Sequence, residues 1–260
     1  MIINILAIGD VAGKTGLNFL IDKLNGVKGF YNIDFTVVNG ENASGLGIRP
    51  EQAQSLLSAG ADVVTLGNHS WGVRGIRAFM DGCPNILRPS NFAQQSPGRG
   101  WGVFESSFGD ICVINLIGRA EMPYSYVCDN PFYEADRIIK QIDTKIVLVD
   151  FHAEATSEKL ALAYHLDGRV SALWGTHTHV QTSDSRVFRS GMGYISDLGM
   201  TGAVESVIGM NVKQSVSRFL GNPPEPFESA EGAAKIEGAV FGIDPISGKC
   251  MSVEAIRIEG

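Results

Sequence analysis

Five apolar runs in this 260-residue chain end in the same way, with a side chain able to hold a metal directly after the last apolar stretch. They are "LAIGD" with Asp10, "VVNGEN" with Glu41 and Asn42, "VVTLGNH" with Asn68 and His69, "VLVDFH" with His152, and "LWGTHTH" with His177 and His179. The chain has five histidines. Four belong to this set, and the fifth, His165 in "LAYHLDG", is read as structural. Imidazole, carboxylate and carboxamide together suit iron, manganese or zinc. The candidates outnumber the needs of one ion, whereas two ions sharing a carboxylate would use them all. Such a pair, ~3.5–4 Å apart, clamps the attacking and leaving oxygens of a phosphoryl transfer. Each residue alone has a plainer reading: Asp10 as a cap or turn residue, "NGEN" as a turn, His177 and His179 as surface strand residues. Their joint occurrence at five strand ends is what points to a metal centre. If "GTHTH" is extended, His177 and His179 face the same way, because side chains alternate along a strand.

The elements that must position these residues alternate along the first half. "IINILAI", "DFTVVN" and "DVVTLGN" read as buried strands. Between them, "GLNFLIDKLNGV" carries leucines at helical spacing, and "RPEQAQSLLSAG" opens with a proline and closes at a glycine. A further helix is expected around "VRGIRAFMDG". Alternation of this kind implies crossover units and a largely parallel sheet, with ligands beyond the carboxyl ends of its strands. Later, "GWGVFESSFGDICVINLIG" reads as a hairpin, and "NPFYEADRIIKQI" as a helix with Asn130 as cap and Pro131 at its first position. "KIVLVDFH", a helix "SEKLALAYHL" and "VSALWGTHTHV" follow, and the chain closes with two strands around a turn at Pro245 to Gly248. With no repeat or linker, the reading is an α/β fold in one domain, 1–260, with two sheets flanked by helices. Asp150 shares a parity with His152 and is expected to support the site from behind.

The stretch "IGDVAGKTG" invites a rival reading as a phosphate cradle. That motif needs four residues between its first glycine and Gly-Lys-Ser/Thr. Here only three separate Gly9 from Gly13, so Lys14 is read as a residue of the following helix. A net charge of −7 argues against bulk electrostatic binding to nucleic acid or an anionic membrane. The four cysteines form no C-x-x-C pair and read as reduced thiols. Without a membrane-length apolar window or a cleavable leader, the expected location is the cytoplasm.

The motifs "GD", "NGEN", "GNH", "VDFHAEATSEK" and "GTHTHVQT" resemble the calcineurin-like metallophosphoesterase superfamily. "LRPSNF", "YISDLGMTG" and "SVIGM" draw the resemblance toward its bacterial YmdB-like branch of 2',3'-cyclic-nucleotide phosphodiesterases. The resemblance implies a four-layer α-β-β-α sandwich holding two transition-metal ions, iron or manganese before zinc. It implies that Asp10, Glu41, Asn42 and His179 hold the first ion, and that Glu41 bridges to a second held by Asn68, His152 and His177. His69 would be the general acid for attack by a metal-activated hydroxide. The Asp-x-His of most superfamily members is absent, since Val11 and Ala12 follow Asp10, and Glu41 stands where most have aspartate; both features are typical of the branch. Leu17 and Asn18 replace a common basic residue, and Gly72 a common aspartate, which bears on substrate detail. The implied substrate is a small phosphodiester, and the family leaves room for a homo-oligomer. Trp71, Phe151 and the 197–210 loop are candidate walls of a base pocket. Two alternatives stand beside this reading: a phosphomonoesterase or nucleotidase with the same metals, and a regulatory protein whose metal site serves sensing or partner binding.

Overall fold

The computed structural model describes residues 1–123, 128–223, 225–226 and 228–260. Its first sheet runs in the order β2 (Asp10–Val11), β12 (Met200–Ala203), β13 (Ala234–Ile243), β1 (Ile3–Ile8), β3 (Phe35–Asn39), β4 (Val63–Thr65) and β5 (Ile86–Leu87). The long β13 gives one edge to β1 and β12 and the other to β14 (Cys250–Glu259). The second sheet runs β10 (Arg186–Val187), β11 (Gly193–Ile195), β9 (Ala172–Thr176), β8 (Ile146–His152), β7 (Ile111–Ile117) and β6 (Trp101–Phe104). At the centre of each sheet the strands are parallel: β1, β3, β4 and β5 in the first, β7, β8, β9 and β11 in the second.

Strand parity builds the layers. Along β1, Ile3, Ile5 and Ala7 face the second sheet, whose Ile111, Val113, Ile146, Leu148, Ala172 and Trp174 meet them in a shared core. Leu6 and Ile8, of opposite parity, face outward onto Leu17, Leu20, Leu24 and Val27 of α1 (Gly13–Tyr31) and onto Ala53 and Leu56 of α2 (Pro50–Ser58). This layer includes Ile76 and Met80 of α3 (Ile76–Gly82). On the far side, Val147, Val149 and Phe151 face Ala135 and Ile138 of α4 (Pro131–Ile139) and Leu162, Ala163 and Leu166 of α5 (Thr156–Leu166). The result is the expected four-layer α-β-β-α sandwich. A last helix, α6 (Val212–Phe219), follows β12.

The expected hairpin is present, with Trp101 opposite Ile114 and Phe104 opposite Ile111. Asn130 caps α4 by accepting the Phe132 N–H. Helix α1 runs further than its sequence pattern suggested. It passes Gly26 and Gly29, both beside open space, and ends where Asn32 turns left-handed at φ 49°. Two expectations are corrected. Strand β9 stops at Thr176, and His177 and His179 lie beyond it with φ of 99° and 63°, so extended alternation does not orient them. Phe151 is fully buried in the outer core against α5 and is no wall of a base pocket.

Candidate metal centre

The inter-sheet core changes character toward the carboxyl ends of its strands. Continuing the inward parity of Val37, Val63, Val113, Leu148 and Trp174 leads to Asn39, Thr65, Asn115, Asp150 with His152, and Thr176, all buried. Asn39, Thr65, Asp150, His152 and Thr176 are linked by hydrogen bonds to one another. Asp150 accepts from Thr65 Oγ1 at 2.5 Å, from Thr176 Oγ1 at 2.8 Å and from Asn39 Nδ2 at 3.3 Å. Asn115 donates to the Leu66 and Leu87 carbonyls. Asn39 also accepts the Glu41 N–H.

His152 and Thr176 are register partners on adjacent strands. The Thr176 hydroxyl gives its proton to Asp150 and so receives Nδ1–H of His152, 3.0 Å away. The other ring nitrogen is thereby left to face the site. Around His152 Nε2 lie Glu41 Oε1 at 2.9 Å, Asn68 Oδ1 at 3.0 Å and His177 Nδ1 at 3.1 Å. Glu41, His152 and His177 offer ligand atoms all within 4.8 Å of one another. Beside them sits a second group. His179 Nε2 is 3.3 Å from Asn42 Oδ1 and 3.8 Å from Asp10 Oδ1. The two groups are linked where Asp10 Oδ2 accepts the His177 N–H at 3.0 Å. All seven candidate ligands therefore converge. His69 joins them through its backbone, whose N–H donates to Glu41 Oε2 at 3.1 Å, and its imidazole is half-buried. His165 is elsewhere, paired with Asp136. Lys14 is exposed in the first turn of α1, and Trp71 packs on Phe92 at 4.9 Å between ring centres.

The electrostatics ask for a cation. Burial pushes Asp10 up to about 6, against the pull of His179 and His152. Its Oδ1 is buried without a hydrogen-bond partner, a costly state for a carboxylate oxygen. Burial would also raise Glu41, but the charge and hydrogen bond of His152 hold it at about 2. The reciprocal effect overcomes burial at His152 and lifts it to about 9, so that a proton supplies positive charge among the carboxylates. His177 is pressed down to about 3 by burial and by that neighbouring charge, which leaves it a neutral, ligand-ready imidazole. Space is reserved as well. A Cβ on Gly67 would lie 2.3 Å from His152 Nε2 and 2.4 Å from Glu41 Oε2. An orphaned carboxylate oxygen, oxygen and imidazole donors on one spot, and a glycine that keeps the spot open all fit transition-metal binding.

Several contributors gave no signal by residue type alone. Asn39 and Thr176 could have been found by extending strand parity to the strand ends. Glu154, whose Oε2 is 3.2 Å from His177 Nε2, follows His152 by two residues. A buried ion pair, Lys159 Nζ to Asp197 Oδ2 at 2.7 Å, underlies the His177–His179 turn and joins residues far apart in sequence.

Two α/β sheets between helices, with imidazoles and carboxylates gathered at the strand ends, define a metallophosphoesterase-type enzyme. The chain belongs to the YmdB-like protein family, whose model matches residues 6–256. It is 42% identical over 257 residues to the 2',3'-cyclic-nucleotide 2'-phosphodiesterase of Bacillus subtilis, covering 98% of this chain and 96% of that one. Two crystal structures are similar, each at 36% identity. One, a novel phosphatase of Mycoplasma pneumoniae, aligns with a TM-score of 0.93 over 100% of this chain and 94% of its own. The other, a hypothetical protein of Thermus thermophilus, aligns with a TM-score of 0.91 over 99% of both chains. Metallophosphoesterase-type membership implies divalent metal ions. Among the described residues no helix is long and apolar enough to cross a membrane.

Proposed function

We propose that this protein is a dinuclear metal-dependent phosphodiesterase that opens 2',3'-cyclic nucleotides at the 2' oxygen and releases 3'-nucleotides. The observation that carries the metal reading is the orphaned Asp10 oxygen beside the Glu41–His152–His177 cluster. The substrate class is supported by the 42% identical relative, named for that activity. Asp10, Asn42 and His179 would hold one ion and Asn68, His152 and His177 the other, with Glu41 shared; iron or manganese suits the set best. When bound, such ions polarise phosphoryl oxygens and lower the pKa of water, which supplies a nucleophile near neutral pH.

The chain's own residues do the rest. Asp150 and Thr176 hold the His152 ring in the tautomer that offers Nε2 to the site. Asp10 fixes the turn that carries His177 through its backbone N–H. Glu41 and Asn68 each bring a side-chain oxygen to within 3.0 Å of His152 Nε2, so that nitrogen and oxygen donors share one spot. The departing 2' alkoxide needs a proton, and His69, anchored by its backbone to Glu41, is the donor.

Two measurements test this reading. Initial rates on 2',3'-cyclic AMP, bis-p-nitrophenyl phosphate and p-nitrophenyl phosphate should rank the diesters well above the monoester; the reverse order would make the protein a phosphomonoesterase. Anomalous scattering from manganese-loaded crystals should give two peaks that share Glu41. A single peak, or none, would remove the dinuclear mechanism.

A further inference from the structure

The turn that carries His177 and His179 is strained. Two non-glycine residues with positive φ stand within three positions, at 99° and 63°. Such conformations are unfavourable for residues with a Cβ and persist where the surroundings over-determine them. His177 is held by Asp10, which accepts its N–H, and the His179 ring contacts the Ile208 carbonyl at 2.9 Å. The residue between them, Thr178, donates its N–H to Asp197 Oδ2 at 3.2 Å.

Asp197 is built into its place. Its Oδ1 accepts the Gly199 N–H, its own N–H donates to Thr182 Oγ1, and its Oδ2 receives Lys159 Nζ at 2.7 Å. Lys159 comes from α5, across the second sheet's outer face, and is 1% exposed. Its stem reaches the turn by passing over Gly175 of β9. A Cβ there would lie 1.9 Å from the Ser196 carbonyl oxygen and 2.8 Å from both Lys159 Cδ and Cε. The fold thus buries a whole lysine side chain to reach one carboxylate. A buried ion pair is a weak source of stability, because desolvation offsets its attraction. Its contact with Thr178 gives it a different role.

We propose that Lys159 and Asp197 are a positioning pair: they clamp Thr178 and so hold the left-handed turn that aims His177 and His179 at the metal centre. The inference rests on the metal-centre reading above, and its test separates the two. Chelator-treated wild type, Asp197→Asn and the double variant Lys159→Met/Asp197→Asn are titrated with Mn²⁺ by calorimetry. Electron paramagnetic resonance follows coupling between bound ions, and circular dichroism follows folding. The single variant keeps the shape of the side chain, and the double variant leaves no buried charge unpaired.

Both variants should fold. Both should bind Mn²⁺ about 10–100-fold more weakly than wild type, the range seen when outer-shell partners of ligands are lost, with the coupled signal diminished. Folded variants that match wild type in affinity and coupling overturn the positioning role and leave the metal centre standing. Failure of both to fold makes the pair a stability element and also overturns it. A wild type that takes up no Mn²⁺ instead overturns the metal-centre reading, and this inference with it.

Discussion

Thr176 is one hydroxyl placed between two buried groups, Asp150 and His152. Its proton goes to Asp150, and its lone pair receives His152 Nδ1–H, all three side chains being buried. Thr176→Val keeps the shape and removes both bonds, together with the one that Thr176 Oγ1 accepts from Asn39 Nδ2. The imidazole then loses the contact that fixes its tautomer, and metal affinity should fall about 10–100-fold. Calorimetric titration of the chelator-treated variant reads this directly; an affinity equal to wild type would show that the relay does not orient His152. His69 has a different dependence. Its hydrogen bond to Glu41 comes from the backbone, so His69→Ala should leave metal content intact. Turnover of a substrate with a poor alkoxide leaving group should drop about 10²–10⁴-fold, with a smaller loss on a p-nitrophenyl diester, whose leaving group needs no proton. Equal losses on the two substrates would place His69 outside proton donation.

Among the elements, Asp184 ties the segment after β9 to the residue that follows β11. Asp184 accepts from Thr182 Oγ1 at 2.7 Å, Ser196 N at 3.0 Å and Ser196 Oγ at 2.6 Å. Partial burial alone would raise its pKa, but these bonds outweigh it and hold the carboxyl below its ordinary 3.8. A depressed folded-state pKa contributes stability that is present above the unfolded value and lost as pH falls through the folded one. Asp184→Asn should therefore lower Tm at pH 7, by about 2–4 °C if the bonds contribute about 1 kcal/mol at this half-exposed position. The gap between variant and wild type should close as pH drops below 3.8, and a gap that stays constant in thermal scans from neutral pH into that acid range would assign the effect to something other than ionisation.

Part of this arrangement of elements is legible in the sequence. Strands with long apolar runs announced themselves, and their parity, carried to the strand ends, led to Asp150 and His152. That parity also separates Phe151 from the site, since it is adjacent to His152 and faces the other layer. The two-residue pairing of β2 with β12 is too short to leave a pattern. The backbone from His177 to His179 departs from strand geometry because Asp10 and Asp197, both distant in sequence, accept the N–H groups of His177 and Thr178, while Ile208 meets the His179 ring. Lys159 shares the buried stripe of its helix with Leu162, Ala163 and Leu166, but its partner Asp197 is 38 residues away and no local pattern names it.

For the whole molecule, the candidate ligands divide between the two sheets. Asp10, Glu41, Asn42 and Asn68 follow strands of the first sheet, while His152, His177 and His179 come from the second. Ions held by both groups would tie the layers together at the end where the inter-sheet core turns polar. Binding to the folded state alone stabilises it by about 2.7 kcal/mol for one site at a ligand concentration 100 times Kd. In a chain of this size, 1 kcal/mol corresponds to about 2–4 °C in Tm. Adding Mn²⁺ to the chelated protein should thus raise Tm by about 5–10 °C, and excess chelator should reverse the shift. The rise should keep growing with the logarithm of free metal, since mass action has no plateau while the unfolded chain does not bind. Thr176→Val should need more metal for the same rise, because its weaker site enters the same relation through Kd. A Tm indifferent to metal in calorimetric scans of the wild type would mean that these residues hold no ion in the folded state, and that metal does not tie the two sheets together.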